Sequence, residues 1–146
     1  MRLLVDTNIF IDYFFRNDEN TEQASIFFDY CYKNRNEIYI TSMSLRDLAY
    51  IGHKYVHDSE LVKMVLQKTY GLVSKVCDTS ADAAIEAIYS DNNDYEDELQ
   101  IGAAQEILAD AIVTNDKKGF KKAKMHVFTI KQINDLLSKQ HPVVIE

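Results

Sequence analysis

Residues 2–8 read Arg-Leu-Leu-Val-Asp-Thr-Asn, and the fold turns on how they are understood. Leu3, Leu4 and Val5 form a continuous apolar run without a helical period. Such a run fits a strand buried on both faces, as in a parallel sheet. The run stops at Asp6, and a helical pattern begins at Ile9. An acid at the carboxyl end of a buried parallel strand stands at the edge where α/β folds place their ligands. Asp6 is therefore expected to point into a crevice, with Asn8 capping the next helix beside it. Asp is also common at helix starts, so a plain cap or turn role for Asp6 stays open on this stretch alone.

Working outward, helices are expected over 9–15, 21–33, about 42–55, 59–70, 79–89, 95–108 and 130–139. Short strands are expected over 38–41, 72–76, 111–114 and 127–129. Ser42 or Ser44 is placed as the cap of the third helix, and Asp94 as the cap of the helix at 95. Gly71 is read as separating a helix from a strand. Strands alternating with helices predict an α/β fold, a short parallel β-sheet flanked by helices. One domain is expected over residues 1–146, with the tail after about 140 a loose strand or a partner contact. Phe14, Phe15, Phe27, Phe28, Tyr30 and Tyr32 give the first two helices more aromatic surface than one face needs. They either fill the core or line a partner groove.

Composition narrows the function classes. Apolar residues make up 47% and charged residues 27%, an ordinary globular balance. No apolar run approaches a membrane span, and no signal-peptide pattern is read, so a cytoplasmic protein with no membrane partner is expected. Cys31 and Cys77 match no metal or redox spacing and read as buried thiols. The four His residues show no ligand spacing either. The net charge is −7, so any nucleic-acid role needs a local basic patch or bound cations.

The acids then fall into a pattern. Asp6 ends the first strand, and Asp116 follows the strand 111–114. In the helix at 95, Asp97, Ile101, Ala104 and Leu108 share one stripe, which turns Asp97 inward near the helix start. Asp94 lies close to the same stripe, and Asp47 sits four residues before Ile51 in the third helix. Carboxylates that converge repel one another, and a divalent cation removes the conflict. Oxygen-only ligands suit Mg²⁺ or Mn²⁺ rather than zinc. A bound ion of that kind can activate water and steady charge on a phosphate. Directly after Asp116, residues 117–124 hold Lys117, Lys118, Lys121, Lys122 and Lys124 and no acid. Beside a metal site this segment could hold a polyanion, and otherwise it is a solvated basic helix.

Four segments, in order, resemble the PIN-domain ribonucleases and in particular the VapC-like toxins of toxin–antitoxin pairs. They are L-L-V-D-T-N-I-F-I-D, T-S-M-S-L-R-D-L-A-Y-I, D-Y-E-D-E-L-Q-I-G-A-A and A-I-V-T-N-D-K-K-G-F. The resemblance spans essentially the whole chain and implies a single PIN-like domain with an acidic metal site at the sheet edge. It implies a Mg²⁺- or Mn²⁺-dependent endoribonuclease that hydrolyses RNA with a metal-activated water. The implied catalytic residues are Asp6, Asp47, Asp97 and Asp116, with Asp6, Asp97 and Asp116 on the metal. Asn8, Thr114 and Asp94 match supporting positions. The third-helix acid is usually Glu in this family, and Asp47 is one methylene shorter. The implied partners are an RNA substrate, a cognate antitoxin and a second copy of the chain.

Two enzyme alternatives fit less well. A haloacid-dehalogenase-like phosphatase needs a second Asp two residues after the first, where this chain has Asn8. A phospho-receiver domain needs adjacent acids, which Asp6-Thr7 does not supply. A non-catalytic PIN-fold interaction module is the remaining alternative, and the inward acids argue against it.

Overall fold

A computed structural model describes residues 1–140. The expectation for the tail lies outside the described residues. The elements are β1 (Arg2–Val5), α1 (Thr7–Phe15), α2 (Glu19–Lys33), β2 (Glu37–Thr41), α3 (Ser42–Val56), α4 (Ser59–Leu72) and β3 (Lys75–Cys77). They continue as α5 (Ala81–Tyr89), α6 (Tyr95–Glu106), β4 (Ala111–Val113), a 3₁₀ turn (Lys117–Phe120), β5 (His126–Phe128) and α7 (Ile130–Gln140).

The five strands run in the order β3-β2-β1-β4-β5, and every neighbouring pair is parallel. The expected α/β class with a short parallel sheet is therefore what forms. The chain builds outward from β1 through β2 to β3, then returns to place β4 on the other side of β1. The order reverses between β1 and β4, which opens a crevice beyond their carboxyl ends.

The apolar run of β1 splits by period two, because successive strand residues face opposite sides. Leu3 and Val5 pack into a core with Ile9, Phe10, Phe27, Leu48 and Ile133 from α1, α2, α3 and α7. Leu4 faces the other way, onto Ile112, Ile101, Ala103, Ala104 and Phe120. The small Ala103 and Ala104 let α6 lie close on that face. Burying each Leu or Ile fully contributes about 1.5–3 kcal/mol, so the first strand anchors both layers.

Several local expectations change. Asn8 does not cap the first helix. The helix starts at Thr7, and Asp6 is its cap, its Oδ1 accepting from the Thr7 N–H at 2.8 Å. Neither Ser42 nor Ser44 caps α3; Thr41 does, accepting from the Ser44 N–H. Gly71 lies inside α4, and the third strand starts only at Lys75. Leu108 leaves the stripe of Asp97, Ile101 and Ala104, because α6 ends at Glu106 and Leu108 turns left-handed with φ 56°. Of the six aromatic residues named above, Phe27 and Phe28 are core and Phe14, Phe15 and Tyr30 pack against it. Tyr32 stands out, and with Phe28 it lines a second cavity of about 630 Å³. Cys31 and Cys77 are free and buried, as expected. Among the described residues no helix is long and apolar enough to cross a membrane.

Candidate active site

The crevice beyond β1 and β4 is a cavity of about 710 Å³. Asp6, Asn8 and Asp12 line it from the end of β1 and from α1. Asp47 lines it from α3, Asp94, Asp97 and Gln100 from the start of α6, and Asn115 and Asp116 from the loop after β4. All four acids expected at the site thus reach one cavity, although they come from segments up to 110 residues apart.

Asp6 is the best held. Its backbone N–H donates to the Val113 carbonyl at 2.9 Å, which ties the end of β1 to β4. Its carboxylate accepts from the Thr114 hydroxyl at 2.8 Å, from Gln100 Nε2 at 3.2 Å and from Asn8 Nδ2 at 3.4 Å, besides the Thr7 N–H. Burial pushes its pKa above the ordinary carboxylate value, and these donors pull against that rise. Thr114 is fully buried, and its hydroxyl also accepts from Asn8 Nδ2 and from the Asp116 N–H. Asn8 and Thr114 therefore shape the site through Asp6 and through the turn that leads to Asp116.

Asp97 has the opposite character. Its carboxyl is pushed up to about 8, first by loss of water and then by the charges of Asp6, Asp94 and Asp116. Asp47 is not among the charges that weigh most on it. The structure therefore draws Asp6, Asp94, Asp97 and Asp116 into one electrostatic cluster and leaves Asp47 at its edge, 3.5 Å from Arg46 Nη2. Asp94 plays the expected capping part, accepting from the Asp97 N–H at 3.2 Å. Among the described residues Arg16 is the one basic side chain on the cavity lining, and it lies 3.5 Å from Asp12 Oδ1.

Three contributors escaped the sequence reading. Gln100 bridges Asp6 and Ser44, donating to Ser44 Oγ at 2.7 Å, and so locks α6 to α3 under the site. Its signal was a polar residue one turn after Asp97 on an inward face. Asp12 is 6% exposed and accepts from Asn115 Nδ2 at 3.0 Å. Its four-residue spacing from Asn8 put both on one helix face. Gly119 makes room for Asp97, since a methyl there would overlap the carboxylate and come within 2.9 Å of its Cβ.

The lysine segment is placed less simply. Lys118, Lys121 and Lys122 line an adjoining depression together with Asp91, Asp94, Glu96 and Asp116. Lys122 pairs with Asp91, and Lys117 donates to Gln132 Oε1. Lys124 is exposed and lines neither cavity. The run of positive charge in sequence meets a comparable number of acids in space.

Among the described residues, no three acid, imidazole or thiol groups stand as a finished ion cage. The donor chemistry nevertheless fits a hard divalent cation. The groups are carboxylates and neutral oxygens, and a carboxyl raised by its acidic neighbours is what a cation would relieve.

A family model described as PIN domain matches residues 2–118. No curated protein matches the sequence. Nineteen chains of solved structures match. VapBC2 from Rickettsia felis, solved bound to a DNA fragment from their promoter, aligns at 20% identity and a TM-score of 0.62, covering 88% of this chain and 98% of that one. DNA-bound VapBC from Salmonella typhimurium aligns at 20% identity and 0.64, covering 89% and 98%. FitAcB from Neisseria gonorrhoeae aligns at 15% and 0.65, covering 88% and 98%. At these identities the likeness is one of fold.

Proposed function

The chain belongs to the PIN-domain family, and on that premise we propose that it is a metal-dependent endoribonuclease, the toxin of a toxin–antitoxin pair. The observation that carries this reading is the cluster of Asp6, Asp94, Asp97 and Asp116 at the point where the sheet order reverses. Asp6, Asp97 and Asp116 would hold Mg²⁺ or Mn²⁺. Such an ion, when bound, supplies an activated water and offsets charge on the phosphate.

The chain's own groups do the rest. Thr7, Thr114, Gln100 and Asn8 fix the Asp6 carboxylate before any substrate arrives. Gly119 leaves the space in which Asp97 stands. Asp97 must lose its proton to act as a charged ligand, and a cation among the acids favours that loss. Asp47 reaches the cavity from α3 and is assigned an outer role, orienting water rather than binding the ion. The similar folds come from VapBC and FitAcB complexes, which supports a cognate antitoxin as partner. A homodimer in the cytoplasm completes the proposal.

The test is cleavage of single-stranded RNA by the purified protein. Mg²⁺ or Mn²⁺ should support it, excess chelator should abolish it, and Asp6→Asn purified in parallel should be inactive. Cleavage that continues in chelator, or equal cleavage by Asp6→Asn, would overturn the mechanism. RNA binding without cleavage under any divalent metal would favour a non-catalytic module.

A further inference from the structure

The acid cluster occupies only one side of the cavity. The other side is built by α3 and the end of α1, where the acid Asp47 stands among Arg16, Met43, Tyr50, Ile51 and Tyr55, so that the wall is mixed, largely apolar and aromatic. Parts of it stand open to solvent. Tyr50 is 64% exposed and Tyr55 is 45% exposed, although both belong to a site whose other wall is charged. The Tyr55 ring stacks on Phe15 at 5.2 Å and 15°, which holds it in a fixed plane. Lys54 Nζ lies 4.5 Å from the Tyr50 ring centre. Arg46, Tyr50 and Lys54 follow at four-residue intervals and therefore share one helix face. Arg46 and Lys54 are exposed, one turn to either side of the ring and outside the cavity lining itself, with Arg46 3.5 Å from Asp47.

A ring flanked by cations at one-turn spacing suits a ligand with a flat π-face and a negative charge on each side of it. A nucleotide within a single strand has that chemistry. Unpaired bases stack on aromatic side chains, while Arg and Lys meet the phosphates between them. An acidic or apolar peptide could satisfy the cations or the rings. It would not account for both beside an acid cluster that calls for a cation-bound phosphate.

Resting on the ribonuclease reading, we infer that α3 is the RNA-holding wall of the site, with Tyr50 stacking an unpaired base and Arg46 and Lys54 holding the adjacent phosphates. The chief hold on RNA lies on α3 and not in the lysine segment.

The experiment is binding of a labelled ten-nucleotide single-stranded RNA, followed by anisotropy in chelator so that no cleavage occurs. Tyr50→Ala should weaken binding about tenfold or more, and Tyr50→Phe should stay within about twofold of the parent, since it keeps the ring. Removing Arg46 and Lys54 together should flatten the salt dependence by about 0.7 for each lost phosphate contact. The chain has no Trp, so Tyr50→Trp supplies a single reporter whose fluorescence should be quenched by RNA. If the parent binds and cleaves RNA while Tyr50→Ala binds as tightly, the inference falls and the ribonuclease reading stands. If the parent neither binds nor cleaves RNA in any divalent metal, both fall together. If Tyr50→Ala keeps RNA binding but loses a co-expressed protein partner, the wall is a protein-docking face and the inference is overturned.

Discussion

Across one cavity the strand-end acids face α3, and the two walls are built in opposite ways. On the acid wall every important group is tied down: Asp6 by four donors, Thr114 by burial, Asp97 by the gap over Gly119. On the α3 wall the rings and cations are exposed, and few of their polar atoms are engaged. Fixed groups suit a step in which charge must develop at a defined point, because nothing needs to reorganise. Exposed rings and flexible cations suit a long polymer that must enter, be held and leave. One pocket thus divides chemistry from holding, and substitutions on its two walls should separate turnover from binding.

The largest separation is expected from Asp97→Asn. Single-turnover cleavage should fall about a hundredfold or more. RNA binding should hold or tighten, because a negative charge near a polyanion is gone. The same variant has a signature in stability. In the metal-free protein the Asp97 carboxyl titrates near 8 rather than near the usual carboxylate value. A raised acid prefers its proton in the folded state, so stability should decline as pH rises from about 4 toward 8 and level off above. Asp97→Asn should flatten that decline, and divalent metal should oppose it in the parent. Thermal melts across pH with and without Mg²⁺ measure this, and a parent that gains stability between pH 5 and 8 without metal would contradict the acid cluster.

A smaller but sharper break is Gly119→Ala. Gly119 has no left-handed backbone, so the chain can accept the methyl without local strain. The methyl displaces Asp97 instead. Turnover should drop about tenfold to a hundredfold, as small misplacements of reacting groups do. Melting temperature and RNA binding should stay near the parent's. Unchanged turnover would mean that Asp97 works from another position.

The smallest effects are expected from the lysine segment. Lys122→Gln should leave the salt dependence of RNA binding almost unchanged, since Lys122 is already paired with Asp91. Lys121→Gln should lower it by at most about 0.7, one phosphate contact. A drop as large as that from Arg46 and Lys54 together would show that holding is spread over both walls.

These contrasts mark what could be read without coordinates. The run Leu3–Val5 ending at Asp6 was enough for a buried parallel strand with an acid at its functional edge, because burial on both faces and the end of an apolar run are local patterns. The inward position of Asp97 was equally legible, since three or four residues per turn put Asp97, Ile101 and Ala104 on one stripe. The lysine segment was legible as charge, but the pairing of Lys122 was not, because Asp91 lies 31 residues before it.

The fold class, the succession of strands and helices, and the acids at strand and helix ends are written in local stretches of the chain. Each of those follows from neighbours within about two turns of chain. Only the tertiary structure decided that Gln100 and Thr114 would hold Asp6, that Asp12 would be buried against Asn115, and that Gly119 would clear space for Asp97. Only it brought Tyr50 and Tyr55 of α3 to the same cavity as the acids. Those pairings join segments tens of residues apart, and they exist because the sheet reverses its order between β1 and β4 and brings four separate chain segments to one edge.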